Sequence, residues 1–462
     1  MLRRVLIANR GEIAVRIIRE CRDASIGTVA VYSEADLNAL HVMLADKAVC
    51  IGKAPSALSY LNMENIIEAA RGTGCEAIHP GFGFLSENPE FAALCRENGL
   101  IFVGPPAQVI EKLGNKAEAR KTMKAVGVPV VPGSDGPVET VEDAETIAEQ
   151  IGYPVLIKAS AGGGGRGMRV AENSGEVRRA FEDARLEAEK CFGDGTVYLE
   201  KLVRNPRHVE FQILADQYGN VIHLGERNCS IQRRNQKMIE EAPDWCLSEE
   251  LRARMGADAV KAARAAGYRN AGTVEFIVDG DRYYFIEMNT RLQVEHPITE
   301  MITGVNLVRE QLRIASGLPL EISQQDVRTR GHAIECRINA EDIFRNFAPS
   351  PGHVGFLHFP AGNHVRVESA LYSGCDISPF YDSMAAKIIV YGDTRLEAIR
   401  RMRRALGETI IKGVRTTLPI QHLIMYHQDF LRGHYNTGFI ENNLGELISI
   451  YEAAGGRNES IQ

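Results

Sequence analysis

The chain has 462 residues, 45% of them apolar, and its acidic residues outnumber the basic ones 60 to 53. That length predicts two to four domains with sizeable cores, and the net charge of −7 argues against a nucleic-acid coat. Nine cysteines without a Cys-x-x-Cys pair argue against a disulfide framework and fit reduced thiols in a cytoplasmic protein.

The N-terminal apolar run is broken by Asn9, Arg10 and Glu12, which leaves it too short for a signal peptide, and no stretch approaches a membrane span. Residues 3–8 read as a buried strand, and Gly11–Arg19 carries Ile13, Ile17 and Ile18 at helical spacing. Thr28–Tyr32 reads as a second strand, Glu64–Ala70 as a helix and Ala77–His79 as a third strand. This alternation predicts a doubly wound, largely parallel unit over about the first 110 residues. Asn9-Arg10-Gly11-Glu12 lacks the glycine fingerprint of a dinucleotide site. In HPGFGFLSEN, residues 79–88, Ser86 is placed to cap the helix that follows.

Lys116–Val126 is a helical stretch, and the Pro/Gly density of Val128–Pro137 marks an inter-domain connection. A helix over Val141–Gln150 precedes a strand, Tyr153–Ile157, that ends at Lys158. The run AGGGGRGM at 161–168 is either a plain linker or a phosphate-covering hairpin, with Lys158 and Arg166 supplying charge. Val197–Val203 reads as a strand, of the core or presenting its end to a flat ring. His208–Gln212 alternates as a half-exposed strand does, and Arg227–Lys237 is either a solvated basic loop or an anion-binding wall.

The stretch Tyr283–Pro297, YYFIEMNTRLQVEHP, organises the rest. Strand alternation puts Tyr283, Phe285, Glu287 and Asn289 on one face, continued by Arg291, Gln293 and Glu295. A solvated edge strand is the bland alternative, but Ile286, Met288, Leu292 and Val294 leave the other face little water. A three-residue loop, Asp279–Asp281, sets Glu275 across from Phe285 and diagonal to Glu287, so that two carboxylates and Asn289 face one way as hard-cation ligands. Further on, Ile302–Ser316 is predicted helical, and His332–Ile338 a strand with Glu335 and Arg337 on one face, where a surface pair between the two is the bland alternative for Arg337. Val365–Glu368 and Ala386–Val390 predict an antiparallel sheet, and Arg395–Leu406 a helix with its basic cluster solvated. The inventory is that of metal-assisted phosphoryl transfer from a nucleoside triphosphate to a small anion.

These residues carry a resemblance that runs nearly end to end. The motifs are LIANRGEIAVRIIR at 6–19, HPGFGFLSEN at 79–88, IKAS and the glycine run at 157–167, RHVEFQ at 207–212, CSIQRR at 229–234, FIEMNTRLQVEHPITEM at 285–301 and ECRINAED at 335–342. Together they resemble the biotin carboxylase component of biotin-dependent carboxylases, in the ATP-grasp superfamily, most like the acetyl-CoA carboxylase type with the pyruvate type close. The resemblance implies an α/β chain with a parallel-sheet domain at 1–114 and an ATP-grasp domain at 115–330 whose mobile lid spans 132–203. A C-terminal antiparallel α+β domain at 331–447 and a polar tail at 448–462 follow.

It also implies roles. Lys116, Lys158, Gly164 and Gly165 resemble ATP phosphate binders, and Glu200, Lys201, Leu202 and Val203 the adenine hinge, with His208, Gln232 and Asn235 beside the nucleotide. Glu275, Glu287 and Asn289 match ligands of Mg²⁺ or Mn²⁺. Lys237, Arg291, Gln293 and Val294 match the bicarbonate site, Glu295 the base, and Arg337 the group that steadies the biotin enolate. Asn235, Ala161 and Phe82 depart from the family pattern, where histidine, glycine and tyrosine are frequent. Another ATP-grasp ligase and a silent nucleotide-binding regulator are the competing readings. The family also implies a homodimer working with a biotin carboxyl carrier protein and carboxyltransferase subunits. Met123-Lys124 lies within a helical pattern and lacks the second methionine of a biotinyl site, so the chain itself is expected to stay unbiotinylated.

Overall fold

The computed structural model describes residues 1–159, 168–192 and 194–455. Ala161, Gly164, Gly165 and Arg166 lie outside the described residues.

The first sheet joins β1 (Arg4–Ile7), β2 (Gly27–Ser33), β3 (Lys47–Gly52), β4 (Ala77–His79) and β5 (Ile101–Phe102) in the order β3-β2-β1-β4-β5, every pair parallel. Val5 and Ile7 face one apolar cluster while Leu6 and Ala8 face another, as strands covered on both sides must. β3 had escaped the pattern because it is an edge strand with Lys47, Ala48 and Cys50 exposed. Helix Pro89–Glu97 is capped by Asn88, whose side chain accepts from Phe91 N at 2.7 Å; Ser86, the expected cap, is buried two residues earlier.

A separate three-stranded antiparallel sheet holds β6 (Val155–Ala159), β7 (Met168–Ala171) and β8 (Val197–Lys201). Helices Val141–Ile151 and Ser174–Phe192 pack on it around a core of its own, with Val155, Ile157, Ala171, Phe181 and Leu199.

The main sheet has eight strands. It runs β13 (Arg282–Asn289), β12 (Asn270–Asp279), β9 (Arg207–Ala215), β10 (Val221–Arg233), β11 (Gln236–Ala242), β14 (His332–Asn339), and then strands Met384–Gly392 and Val365–Ser369. The expected C-terminal antiparallel sheet is thus the continuation of the central one, joined where β11 pairs with β14. One face is apolar: Val209, Phe211, Val274 and Phe276 lie in one core with helix Glu249–Ala266, and Ile334, Cys336, Ile388 and Val390 in another with helix Arg395–Glu408. Alternation sends His208, Glu210, Gln212, Thr273, Glu275, Glu335, Arg337 and Lys387 to the opposite face.

Two expectations change in the C-terminal half. Ile302–Ser316 is not one helix: His296–Thr303 ends at Gly304, whose φ of +74° suits glycine, and Leu307–Ala315 starts afresh from the Asn306 cap. Helix Phe439–Ala453 runs into the stretch expected as a polar tail, with Ile448 and Tyr451 packed on the C-terminal core.

Candidate active site

The β12–β13 hairpin differs from its expected form. Its turn has two residues, Gly280 and Asp281, with Asp279 paired to Arg282. The ladder then slips: Phe276 pairs with Phe285 but Glu275 with Glu287, so Ile286 bulges out and is 37% exposed. A bulge residue reverses the parity of everything beyond it. Tyr283 and Phe285 therefore enter the apolar core, whereas Glu287 and Asn289 emerge on the face of Glu275. Tyr283, Phe285, Glu287 and Asn289 do not share a face as the alternation predicted. Nor does the strand continue: it ends at Asn289, Arg291 and Gln293 follow in a loop, and Glu295 stands at the start of helix His296–Thr303.

Lys237 is the hub of the charged face. Its Nζ donates to Glu210 Oε2 at 2.6 Å, Glu295 Oε1 at 2.7 Å and Glu275 Oε1 at 2.9 Å. Glu275 Oε1 also accepts from Asn289 and Gln293 at 2.8 and 3.0 Å, and its Oε2 bonds His208 Nε2 at 2.8 Å. Arg291 donates to Gln293 Oε1 at 2.7 Å, to Asn289 Oδ1 at 3.1 Å and to Glu87 Oε2 at 2.8 Å. Arg337 joins two carboxylates, Glu240 Oε1 at 2.6 Å and Glu295 Oε2 at 2.8 Å. It is not a surface partner of Glu335, which is fully buried. Beneath the hub, fully buried Arg227 donates to Glu210, Gln212, Thr273 and Thr299.

Burial alone would raise the carboxyls of Glu275 and Glu295, but nearby cations outweigh it. Lys237 and His208 hold Glu275 well below the usual carboxylate range, and Lys237, Arg337 and Arg227 do the same for Glu295. Burial disfavours protonated His208, yet the Glu275 charge raises it, and three carboxylates raise Lys237 far above an ordinary ammonium. Glu295 is therefore an anion gripped by two cations.

Most of the residues expected beside a nucleotide are more open. Lys116 stands 3.5 Å from Glu287, and Lys158 on β6 pairs with Glu200 on β8. Lys201 Nζ donates to the carbonyls of Gly152 and Tyr153, while Leu202 and Val203 leave β8 half-buried. Gln232 is buried as the register partner of Lys237. Asn235 lies in the tight β10–β11 turn, where both Arg234 and Asn235 have positive φ; asparagine is among the few side chains that tolerate it.

Glu275, Glu287 and Asn289 offer hard oxygen donors from paired strand positions, the chemistry Mg²⁺ takes. Glu287 is the most accessible donor of the three, with a side chain 37% exposed and, among the described residues, an ion pair only with the solvent-exposed Lys116. His208, Glu210 and Glu275 also bring ligand atoms within 4.8 Å of one another, but two of them already bind the Lys237 ammonium.

Sequence reasoning had missed Glu87, Glu210, Glu240 and Lys387. Glu210 and Gln212 were legible as polar residues alternating with Val209 and Phe211, but a half-exposed strand explained them equally; both are fully buried. Lys387 carried no signal, and it is fully buried, donating to Val294 O at 2.7 Å beside Glu295.

Three domain families match in succession: the biotin carboxylase N-terminal domain over residues 1–110, the ATP-binding domain of the carbamoyl-phosphate synthase L chain over 115–323, and the biotin carboxylase C-terminal domain over 335–442. Biotin carboxylase 1 of Bacillus subtilis is 57% identical over 443 residues, covering 96% of this chain and 98% of its own. The chain belongs to the biotin carboxylase family. The enzyme is accordingly an ATP-dependent ligase. It is also 54% identical to a pyruvate carboxylase subunit from Methanothermobacter thermautotrophicus, over 96% of this chain and 90% of that one. The biotin carboxylase domain of Hydrogenobacter thermophilus 2-oxoglutarate carboxylase, solved as a dimer with MgADP, ADP and bicarbonate, superposes with a TM-score of 0.89 at 53% identity, over 97% of this chain and 99% of that one. Among the described residues no helix is long and apolar enough to cross a membrane.

Proposed function

We propose that this enzyme carboxylates biotin on a separate biotin carboxyl carrier protein, as the cytoplasmic first half-reaction of acetyl-CoA carboxylase in fatty acid synthesis. Curated relatives of nearly the same length bear the name biotin carboxylase alone, which supports a separate carrier and separate carboxyltransferase subunits. The pyruvate and 2-oxoglutarate carboxylase relatives favour, as second reading, the same half-reaction serving another acceptor. Co-purification of the native enzyme with a carboxyltransferase that accepts acetyl-CoA decides between them. A homodimer is supported by the Hydrogenobacter domain dimer.

The observation that carries the chemistry is the convergence of Lys237, Arg291 and Gln293 with an ionised Glu295, next to Glu275, Glu287 and Asn289. Lys237, Arg291, Gln293 and the Val294 backbone hold bicarbonate, and Glu295 removes its proton. Lys237, one of the cations that depress Glu295, would also acidify bicarbonate bound beside it, which narrows the gap between acid and base. A bicarbonate oxygen then attacks the γ-phosphorus of ATP, ADP leaves, and carboxyphosphate forms. Its C–O bond breaks to CO₂ and phosphate, phosphate takes the proton of biotin N1′, and that nitrogen bonds CO₂ while Arg337 stabilises the enolate oxygen. Mg²⁺ held by Glu275, Glu287 and Asn289 would screen the charge of the ATP phosphates. Lys116 and Lys158 reach the phosphates, Gly164 and Gly165 cover them, Glu200 to Val203 hold the adenine, and His208, Gln232 and Asn235 flank the nucleotide. ATP cleavage that needs bicarbonate and rises with free biotin is the expected result; amine-dependent cleavage instead would indicate a carboxylate–amine ligase.

The domain division follows 1–114, 115–330 and 331–447, with residues 132–203 as a lid. Support comes from the separate core of β6, β7 and β8, which packs independently of the main sheet. Amide hydrogen exchange across 132–203 should slow when a non-hydrolysable ATP analogue binds with Mg²⁺. Unchanged exchange there would remove the lid assignment.

A further inference from the structure

Behind Arg337 lie two carboxylates that the proposed reaction does not use. Glu240 on β11 and Glu335 on β14 are register partners, so their side chains leave the same face of the sheet side by side. Both are fully buried. Glu240 Oε1 accepts from Arg337, but Glu240 Oε2 and both oxygens of Glu335 have no hydrogen-bond partner among the described residues. Ionised carboxylates in that situation are costly, and two of them opposed in a ladder repel.

The charges around the pair are Arg337 on β14, Lys387 on strand Met384–Gly392, Lys237 on β11, and Glu295 from the helix start. Each cation already has partners other than Glu335. Arg337 holds Glu240 and Glu295. Lys387 holds Val294 O at 2.7 Å and lies 3.0 Å from Glu12, and Lys237 holds Glu210, Glu275 and Glu295. None of these three cations hydrogen-bonds Glu335.

We propose that Glu240 and Glu335 share one proton at neutral pH, and that its position sets how firmly Arg337 is held back from substrate. With the proton on Glu335, Glu240 is the anion that binds Arg337. With the proton on Glu240, that attraction weakens and the guanidinium is freer to serve Glu295 and the oxygen it stabilises. One O–H bond breaks and another forms, and the net charge is unchanged. Burial pushes both carboxyls up, against the opposing pull of Arg337 and Lys387 respectively, and Glu240 reaches about 7. Glu240 and Glu335 are positioning residues acting through Arg337, and this rests on the role of Arg337 given above.

The test is infrared difference spectroscopy of the substrate-free enzyme at neutral pH, wild type against Glu335→Gln and Glu335→Asp. The wild type should carry the carbonyl stretch of a neutral carboxylic acid that Glu335→Gln loses and Glu335→Asp shifts. If Glu335→Gln fails to fold, the Asp variant alone reads the band. No change in that region overturns proton sharing. In parallel, Glu335→Gln removes a like charge beside Glu240 and should move the alkaline limb of biotin carboxylation downward by roughly one pH unit, the scale of a neighbouring-charge effect, and leave that of bicarbonate-dependent ATP cleavage in place. A lost band with an unmoved limb overturns the link to Arg337. The band does not depend on turnover, so an error in the role of Arg337 leaves it intact and shows only in the rates.

Discussion

Replacing Glu287 with glutamine should lower bicarbonate-dependent ATP cleavage and biotin carboxylation together, by roughly two orders of magnitude or more, the usual scale for losing a transition-state charge stabiliser. Both should fall because, in the proposed mechanism, both need ATP phosphates held by a metal that Glu287 would help to bind. Folding should be almost untouched. The only ion pair Glu287 makes among the described residues is with the largely exposed Lys116 at 3.5 Å, and such pairs contribute about 0–1 kcal/mol. Thermal unfolding of the variant should therefore match the wild type within a degree or two, the shift that so small an energy produces in a chain of this size. Near-normal turnover at saturating Mg²⁺ would remove Glu287 from the metal site.

Arg337→Gln should separate the two chemical stages. Biotin carboxylation should fall roughly tenfold or more beyond any loss of bicarbonate-dependent ATP cleavage, because the proposed role of Arg337 gives the enolate oxygen a charge-assisted hydrogen bond of about 1.5–3 kcal/mol that the variant would lack. Glu295 keeps Lys237 at 2.7 Å, so its ionised state and the bicarbonate step proposed for it should survive. Glu240 loses its cation, but a carboxyl already pushed up to about 7 can take a proton in place of the guanidinium. That limits the damage to the fold. Parallel assays of biotin-dependent and biotin-independent ATP cleavage give the ratio directly, and equal losses would place Arg337 at the bicarbonate stage.

The residue types at the site were legible because strand alternation and motif spacing are local properties. His208, Glu210 and Gln212 announce a polar strand face by themselves, and YYFIEMN announces a strand with carboxylate and amide side chains. The parallel N-terminal unit was legible for the same reason: Val5, Leu6 and Ile7 form an uninterrupted apolar run, which a strand covered on both faces needs. Edge strand β3, with half its residues exposed, carried no such run and was missed.

The sequence by itself determined which residues carry the charge, the family, and the order of parallel and antiparallel segments. Tertiary structure alone decided how those charges meet. Alternation predicts that Glu287 shares a face with Phe285, and one bulged residue, Ile286, reverses that. A bulge is chosen by what the partner strand and the core demand: Phe285 fills space beside Phe276, so Glu287 can reach Glu275 only if a residue is skipped. Likewise, nothing near position 387 indicates that its lysine will be buried against Glu12 and Val294, because those contacts exist only once β14 has joined the C-terminal strands to the central sheet. Period and composition act over a few residues, whereas pairing partners and burial are set by chain segments hundreds of residues apart.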